Sequence, residues 1–168
     1  MYGDRRENSR GMTDLSNSEL KFAADKTLGR LVRWLRVMGH DVIHGPHLTG
    51  RGLVRFARQG KRTILTRDRQ VRRMYPTQCI VIRSDQFREQ LKQVVETCQL
   101  DPFSGLFTRC LMCNSLLDAI SKEEVKEIVP AYVFQTQEKF SICRRCQKVL
   151  WPATHQDRMV EELRKLGF

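Results

Sequence analysis

The chain lacks any apolar segment that approaches the ~20 consecutive residues needed by a membrane-spanning helix. Its first residues lack the apolar centre of a signal peptide, and neither a lipidation signal nor a basic amphipathic helix with a large exposed apolar face is evident. The HExxH and GxSxG motifs of metalloproteases and serine hydrolases are also absent. We therefore expect a soluble cytoplasmic protein, or a nuclear one in a eukaryotic host, with no membrane partner.

Acidic residues are scarce as well, because 19 Asp and Glu stand against 30 Lys and Arg and leave a formal net charge of +11. Between residues 42 and 84 the only acid is Asp68. This excess favours a polyanionic partner, with nucleic acid first and an anionic membrane surface as the alternative. Arginine stripes taken alone are more often solvated helix faces, but the overall charge favours binding to a nucleic acid. The candidate residues for binding a nucleic-acid backbone are Arg30, Arg33, Arg36, Arg51, Arg55, Arg58, Arg67 and Arg69.

Residues 19–101 alternate short apolar segments with segments of helical period. The strands are predicted in "KFAAD", "DVIHG", "RTILTRD" and "QCIVIRSD", with helical or turn segments after them. Such alternation predicts an α/β fold with a parallel sheet and helices on both faces. The turn-rich "DPFSG" marks its end, and a short amphipathic helix is predicted over residues 154–168. We thus expect a disordered leader over residues 1–18, an α/β domain over 19–101 and a second domain over 102–168.

Three of the four predicted strands end in aspartate, at Asp25, Asp68 and Asp85. Parallel strands present their carboxyl ends at one edge of the sheet, so these side chains are expected to converge. Carboxylates held close together repel unless a cation neutralises them, and Mg²⁺ or Mn²⁺ suits such oxygen ligands. An ion there can activate water against a phosphodiester. Each Asp is also a good helix N-cap, and Arg67 and Arg69 are possible ion-pair partners of Asp68, so both interpretations stay open.

The six cysteines include two CxxC pairs, while Cys79 and Cys98 stand alone in apolar segments as expected buried thiols. Two such pairs match a tetrahedral zinc site of the ribbon type, in which each turn offers two sulfurs to one ion. A closed four-sulfur site stabilises a small lobe and does not catalyse. The predicted structural zinc ligands are Cys110, Cys113, Cys143 and Cys146.

Taken together, "KFAADKTLGRLVRWLRVMGHDV", "RTILTRD", "IRSD" and the trailing cysteine pairs resemble the Mut-seven C-terminal RNase domain family over roughly residues 20–160. The resemblance implies a PIN-like α/β domain followed by a four-cysteine zinc ribbon. It also implies a metal-dependent endoribonuclease that uses Mg²⁺ or Mn²⁺, or an RNA-binding role. Asp25, Asp68 and Asp85 then match acidic positions of the PIN-like site, and the paired cysteines match the ribbon.

One departure from the family pattern concerns the segment after the second strand. The family carries acids there, whereas "HGPHLTGRGLVRFA" has none and Asp41 lies at the wrong end of the strand. This leaves three possibilities open, which are slow cleavage, a single metal ion, or RNA binding without cleavage. His44 and His47 are candidate substitutes for the missing acids. A protein-interaction role for the ribbon in a larger complex is a further alternative, although no protein partner can be read from the sequence.

Overall fold

The computed structural model describes residues 20–168, and the leader predicted over residues 1–18 lies outside them. Strands and helices alternate through the first part of the chain, as predicted, and a 3₁₀ turn precedes the first helix. These elements are β1 Lys21–Ala24, α1 Gly29–Val37, β2 Asp41–His44, α2 Gly50–Gln59, β3 Thr63–Thr66, α3 Arg69–Met74, β4 Cys79–Val81 and α4 Phe87–Cys98.

The four strands form one parallel sheet in the order β2-β1-β3-β4. The chain therefore places β2 on one side of β1 and β3 on the other, and the strand order reverses between β1 and β3. Helices α1 and α4 pack on one face of the sheet, and α2 and α3 pack on the other. The α/β fold class with a parallel sheet between helices is confirmed.

Apolar side chains on both faces explain why β1 is a central strand. Phe22 and Ala24 are fully buried under α1 and α4, and Ala23 is fully buried under α2. Burying a side chain such as Phe22 contributes roughly 1.5–3 kcal/mol to folding. In α1, Leu31 and Leu35 recur at helical spacing and both face this core, as their period predicts.

The fourth strand is shorter than predicted. It ends at Val81, and residues 82–86 form an irregular segment, whereas the sequence suggested a strand that continued to Asp85. Side chains of α4 account for the difference, because Gln93 Oε1 accepts a hydrogen bond from the Arg83 amide and Gln90 Nε2 donates to the Ser84 carbonyl. These bonds satisfy the backbone locally in place of further strand pairing.

Side chains cover backbone groups at both outer edges of the parallel sheet. At the β2 edge, the Val42 amide donates to Asn114 Oδ1 at 3.0 Å and the Val42 carbonyl accepts from Arg36 Nη2 at 2.8 Å. At the β4 edge, the carbonyls of Cys79 and Val81 accept hydrogen bonds. Their donors are Arg72 Nη1 at 2.7 Å and Gln93 Nε2 at 2.8 Å.

The second part of the chain forms a small antiparallel sheet in the order β5-β6-β7 with its own apolar core, which includes Val125 and Phe140. The remaining elements are β5 Asp118–Ile120, α5 Ala131–Thr136, β6 Phe140–Cys143, β7 Lys148–Leu150 and α6 Thr154–Lys165.

Helix α6 leaves the small sheet and returns to the parallel one. Its Leu163 is fully buried in the same apolar cluster as Leu91 of α4, and Glu162 pairs with Arg88 at 2.6 Å. The Phe107 amide also donates to the Val37 carbonyl at 2.8 Å. The domain boundary near residue 101 stays a prediction, because contacts on both sides of it join the two parts. Within residues 20–168, no helix is both long and apolar enough to cross a bilayer.

Candidate functional site

Asp25 lies directly after β1, where the strand order of the parallel sheet reverses and ligands bind in α/β folds. Only 7% of the residue is exposed. Its Oδ1 accepts hydrogen bonds from the Thr27 amide and hydroxyl at 3.0 and 3.1 Å, and its Oδ2 accepts one from the Thr66 hydroxyl at 3.2 Å. These bonds hold a nearly buried carboxylate in one orientation at the carboxyl edge of the sheet.

Asp68 lies beyond β3, on the other side of the reversal point, and is joined to Asp25 by Thr66. The Asp68 amide donates to the Thr66 hydroxyl at 3.0 Å, so one hydroxyl contacts both residues. Asp68 Oδ1 accepts from the Gln70 amide at 2.7 Å and caps the N-terminus of α3. The capping interpretation of Asp68 is therefore confirmed, and its side chain is exposed to solvent.

Asp85 differs from the other two aspartates. It follows the irregular segment after β4, its side chain is 76% exposed, and it forms an ion pair with Arg67. Among residues 20–168, the four paired cysteines are the one group of three or more His, Cys, Asp or Glu side chains whose ligand atoms lie within 4.8 Å of one another. In this conformation Asp25, Asp68 and Asp85 do not surround a common point, and a shared divalent ion stays a prediction.

Thr66 is the residue of this site that the sequence did not single out. Thr66 is fully buried although its side chain is polar. Its position at the end of β3, directly before Arg67, is the sequence feature from which it could have been predicted. A buried hydroxyl needs a partner, and a partner at a strand end of an α/β sheet lies near the ligand-binding edge.

The two histidines considered as substitutes for missing acids lie near this edge. His44 ends β2 and is the register partner of Ala24, the residue before Asp25. Its Nε2 lies 3.2 Å from the Lys26 carbonyl oxygen, so that contact occupies one ring nitrogen. His47 is exposed on the loop between β2 and α2. Their substitution for the acids stays a prediction.

The arginines predicted to bind RNA are exposed with one exception. Because each helix starts where its strand ends, Arg30 and Arg51 lie near the same carboxyl edge as Arg67 and Arg69. The Arg30 guanidinium lies 3.7 Å from the centre of the Phe87 ring, which holds the arginine over an aromatic face. The exposed members are Arg30, Arg33, Arg51, Arg55, Arg58, Arg67 and Arg69.

Arg36 is the exception, because its guanidinium is buried and its N–H groups donate to backbone carbonyls of the protein. It is only 8% exposed, and Nε and Nη2 donate to the Val42 carbonyl while Nη1 donates to the carbonyls of Leu111 and Met112. Burial lowers the pKa of Arg36, against the nearby Cys110 and Cys113, which raise it. The Arg36 guanidinium therefore links the first CxxC turn to the edge strand of the parallel sheet.

The cysteine pairs come together as predicted. Cys113 Sγ lies 3.3 Å from Cys143 Sγ, Cys110 Sγ lies 3.9 Å from Cys146 Sγ, and all four sulfurs lie within 4.8 Å of one another. Four sulfurs at ~2.3 Å from one zinc ion would be about 3.8 Å apart, so the donor set fits tetrahedral zinc. This arrangement confirms a cluster able to hold a metal such as zinc.

Two thiols of this cluster, Cys113 and Cys146, differ strongly in pKa. A hydrogen bond with Ser115 lowers the pKa of Cys113 to about 6, whereas the contact with Cys113 raises the pKa of Cys146 to about 12. One thiolate is thus favoured and the next is disfavoured, because neighbouring thiolates repel one another. A divalent ion removes this conflict by taking the place of the protons.

The fold and its sites together define an α/β protein with buried and exposed acids at the carboxyl edge of a parallel sheet and a four-cysteine metal-binding ribbon attached to it. The family model described as the Mut7-C RNAse domain matches residues 20–163. The chain belongs to the Mut7-C RNAse domain family, which confirms the resemblance found in its motifs. The family suggests a nuclease-like function and implies RNA as the substrate. No curated protein matches the chain.

Proposed function

We propose that this protein is a metal-dependent endoribonuclease of the PIN type that hydrolyses RNA phosphodiester bonds at the Asp25–Asp68 edge of the sheet. The observation that carries this proposal is the link from Asp25 through Thr66 to Asp68 at the point where the strand order reverses. Within a ribonuclease family, a buried and oriented carboxylate that is linked through one hydroxyl to the backbone of an exposed aspartate is a suitable start for an acidic site.

Asp25, Asp68 and Asp85 are the residues that would hold Mg²⁺ or Mn²⁺, because these ions prefer carboxylate oxygens. Such an ion supplies an activated water and stabilises negative charge on the phosphate. Asp85 takes part only after its ion pair with Arg67 opens. That pair is largely exposed, and exposed pairs contribute only ~0–1 kcal/mol, so an RNA phosphate can replace Asp85 on Arg67.

The exposed arginines supply the electrostatic part of the proposed function. Arg30, Arg51, Arg67 and Arg69 surround the carboxyl edge, and Arg55 and Arg58 continue the row along α2. Their charges bind the phosphate backbone and offset its repulsion from the acidic residues. Affinity for RNA should therefore fall steeply as the salt concentration rises.

The decisive experiment incubates the purified protein with labelled single-stranded and structured RNAs in Mn²⁺ or Mg²⁺. Wild-type protein should cleave, and Asp25→Asn and Asp68→Asn should each lower the rate at least about 100-fold. Asparagine keeps the shape and most hydrogen bonds of aspartate. The matched control is Asp157→Asn on α6, which removes an exposed acid far along the chain and should leave the rate unchanged. Intact RNAs in both metals, or cleavage that survives Asp68→Asn, would contradict the proposal.

A non-catalytic RNA-binding module is the second candidate. Two observations favour it, namely the absence of acids on the loop after β2 and the occupation of Asp85 by Arg67. This candidate expects RNA binding that persists without Mg²⁺ or Mn²⁺, that weakens with salt, and that is lost when Arg51, Arg55 and Arg58 are changed to Glu. Reversal of Lys126, Lys139 and Lys148 in the ribbon changes the net charge equally and serves as the control. Equal losses in the two triple variants would mean that only net charge matters.

A further inference from the structure

A cleft of about 550 Å³ lies between the edge strand β2 and helix α2. It is distinct from the acidic edge but begins beside it, because His44 is the register partner of Ala24, directly before Asp25. Adjacent strands are about 4.8 Å apart, so the start of the cleft lies one strand away from the proposed reaction site. The walls that matter here are His44, His47, Phe56, Gln59 and Arg62.

Phe56, which lines this cleft, is more exposed than the other apolar residues of α2. The apolar residues Leu53, Val54 and Ala57 of the same helix are buried, yet Phe56 is 46% exposed and is not part of the apolar cores of residues 20–168. An exposed aromatic ring at the side of a cleft presents a flat face. Single-stranded RNA is recognised largely by stacking of its bases on such rings.

The charges around the cleft indicate a base and not a phosphate as the occupant. Arg62 is the only Lys or Arg among the residues that line it, and Asp41 neutralises Arg62 through hydrogen bonds of 2.7 and 3.2 Å. The side chains of Gln59 and His47 offer hydrogen-bonding groups that suit the polar edge of a base. Hydrogen-bonding side chains beside an aromatic face therefore complement a neutral nucleobase.

The other side of α2 has the opposite character. Arg51, Arg55 and Arg58 line a second depression of about 500 Å³, and Gln59 lines both depressions. The Arg58 guanidinium also lies 5.5 Å from the centre of the Tyr75 ring. One helix thus presents a row of positive charge on one side and an aromatic cleft on the other, which matches the charged backbone and neutral bases of a single strand.

We propose that the cleft binds one unpaired base of single-stranded RNA, with Phe56 as its stacking surface and the arginine row of α2 as the site for the adjoining phosphates. This inference rests on the proposed RNA substrate and deepens it, since it selects unpaired RNA over duplex RNA. Phe56 then positions the strand and does not act on the scissile bond.

The test uses the full protein in buffer without added Mg²⁺ or Mn²⁺ and without a chelator, so that binding is measured without cleavage and any zinc on the four cysteines is kept. Its probes are single-stranded RNA 12-mers, each with one 2-aminopurine whose fluorescence is quenched on stacking. Wild-type protein should quench one position strongly, and Phe56→Ala should lose that quenching and bind about tenfold more weakly, which corresponds to ~1.4 kcal/mol. Phe56→Leu, which keeps apolar volume without a ring, should also lose the quenching. Phe56→Trp should restore it.

The matched control is Tyr132→Ala, which removes another exposed aromatic ring, 74% exposed on α5, and should leave both readouts unchanged. Wild-type quenching and affinity in Phe56→Ala would overturn the inference, as would equal binding of an RNA that lacks the base at the quenched position. The metal-dependent assay separates the two proposals. Quenching without cleavage supports the base site and contradicts the nuclease, whereas cleavage that is unaffected by Phe56→Ala, with no quenching, supports the nuclease and contradicts the base site.

Discussion

Asp25 and Asp68 are coupled through one buried hydroxyl, because Thr66 donates to Asp25 Oδ2 at 3.2 Å and accepts from the Asp68 amide at 3.0 Å. The two residues follow different strands, β1 and β3, and the strands are paired directly. Any shift of one strand end therefore changes the hydrogen bonding of the other. The Thr66 hydroxyl therefore fixes the Asp25 carboxylate relative to the backbone of Asp68.

Replacing the Thr66 hydroxyl should weaken both the fold and the site. Thr66→Val keeps the buried volume but removes both hydrogen bonds, so the free energy of unfolding should fall by about 1–3 kcal/mol. Thr66→Ser keeps the hydroxyl and loses one buried methyl group, at a cost of roughly 0.8 kcal/mol. Urea denaturation should rank wild type above Ser and Ser above Val. A Val variant at least as stable as the Ser variant would show that the hydroxyl contributes little.

The buried guanidinium of Arg36 should be far more sensitive to substitution than its exposed neighbour Arg33. Arg36→Lys keeps the charge but cannot reach the carbonyls of Val42, Leu111 and Met112 together, so buried acceptors lose their donors. We expect a loss of about 2–3 kcal/mol in the free energy of unfolding. Arg33→Lys should change it by less than ~0.5 kcal/mol. Similar effects of the two substitutions would contradict the attachment role of Arg36.

Zinc removal should loosen the edge of the parallel sheet as well as the ribbon. Freshly purified protein should hold about one zinc per chain by elemental analysis. A chelator should then accelerate hydrogen exchange at the Val42 amide, whose acceptor Asn114 directly follows Cys113, while the Ile64 amide in the sheet centre stays protected. Cys146→Ser should reproduce this effect, and Cys98→Ser, outside the cluster, should not. Unchanged Val42 exchange after zinc loss would contradict the coupling.

Stability should fall in mild acid because of His40. Burial lowers the pKa of this imidazole to about 4, helped by nearby Arg109 and opposed by Asp101, and its Nε2 has no hydrogen-bond partner among residues 20–168. The unfolded chain protonates the same group near pH 6.5. Since the folded pKa lies below the unfolded one, the contribution is complete above about pH 6.5 and is lost as the pH falls towards 4.

His40→Leu removes the titrating group and should flatten the stability profile between pH 6.5 and 4. The lost contribution is on the order of 3 kcal/mol, from about 1.4 kcal/mol per pKa unit. Chemical denaturation at a series of pH values measures it, and the difference between the two proteins should become constant above about pH 6.5. An equally steep decline in the variant would assign the acid sensitivity to other groups.

Local patterns were sufficient to predict the helices and central strands. The spacing of Leu31 and Leu35 identified the buried face of α1, and Asp25, the acid after "KFAA", directly follows the end of β1. The cysteine spacing predicted the metal-binding cluster, because two CxxC turns constrain their sulfurs almost independently of the remaining chain.

What sequence could not show depends on contacts between distant residues. Arg36 lies opposite the apolar stripe of α1, and only the return of Leu111 and Met112 to this surface explains its burial. The period of α6 indicated an apolar face but not that Leu163 would pack with Leu91. The end of β4 was missed because the glutamines of α4 compete for its backbone, and Asp85 is consequently exposed.

The covered edges of the parallel sheet bear on how this protein avoids aggregation. An open edge strand offers unpaired amides and carbonyls to which another chain can add a strand. Here Asn114 and Arg36 occupy the outward groups of Val42, and Arg72 and Gln93 occupy the outward carbonyls of β4. The first CxxC turn, which positions Asn114 against Val42, thus also protects β2 from pairing with another molecule. If loss of zinc loosens this turn, the backbone groups of β2 become available for self-association.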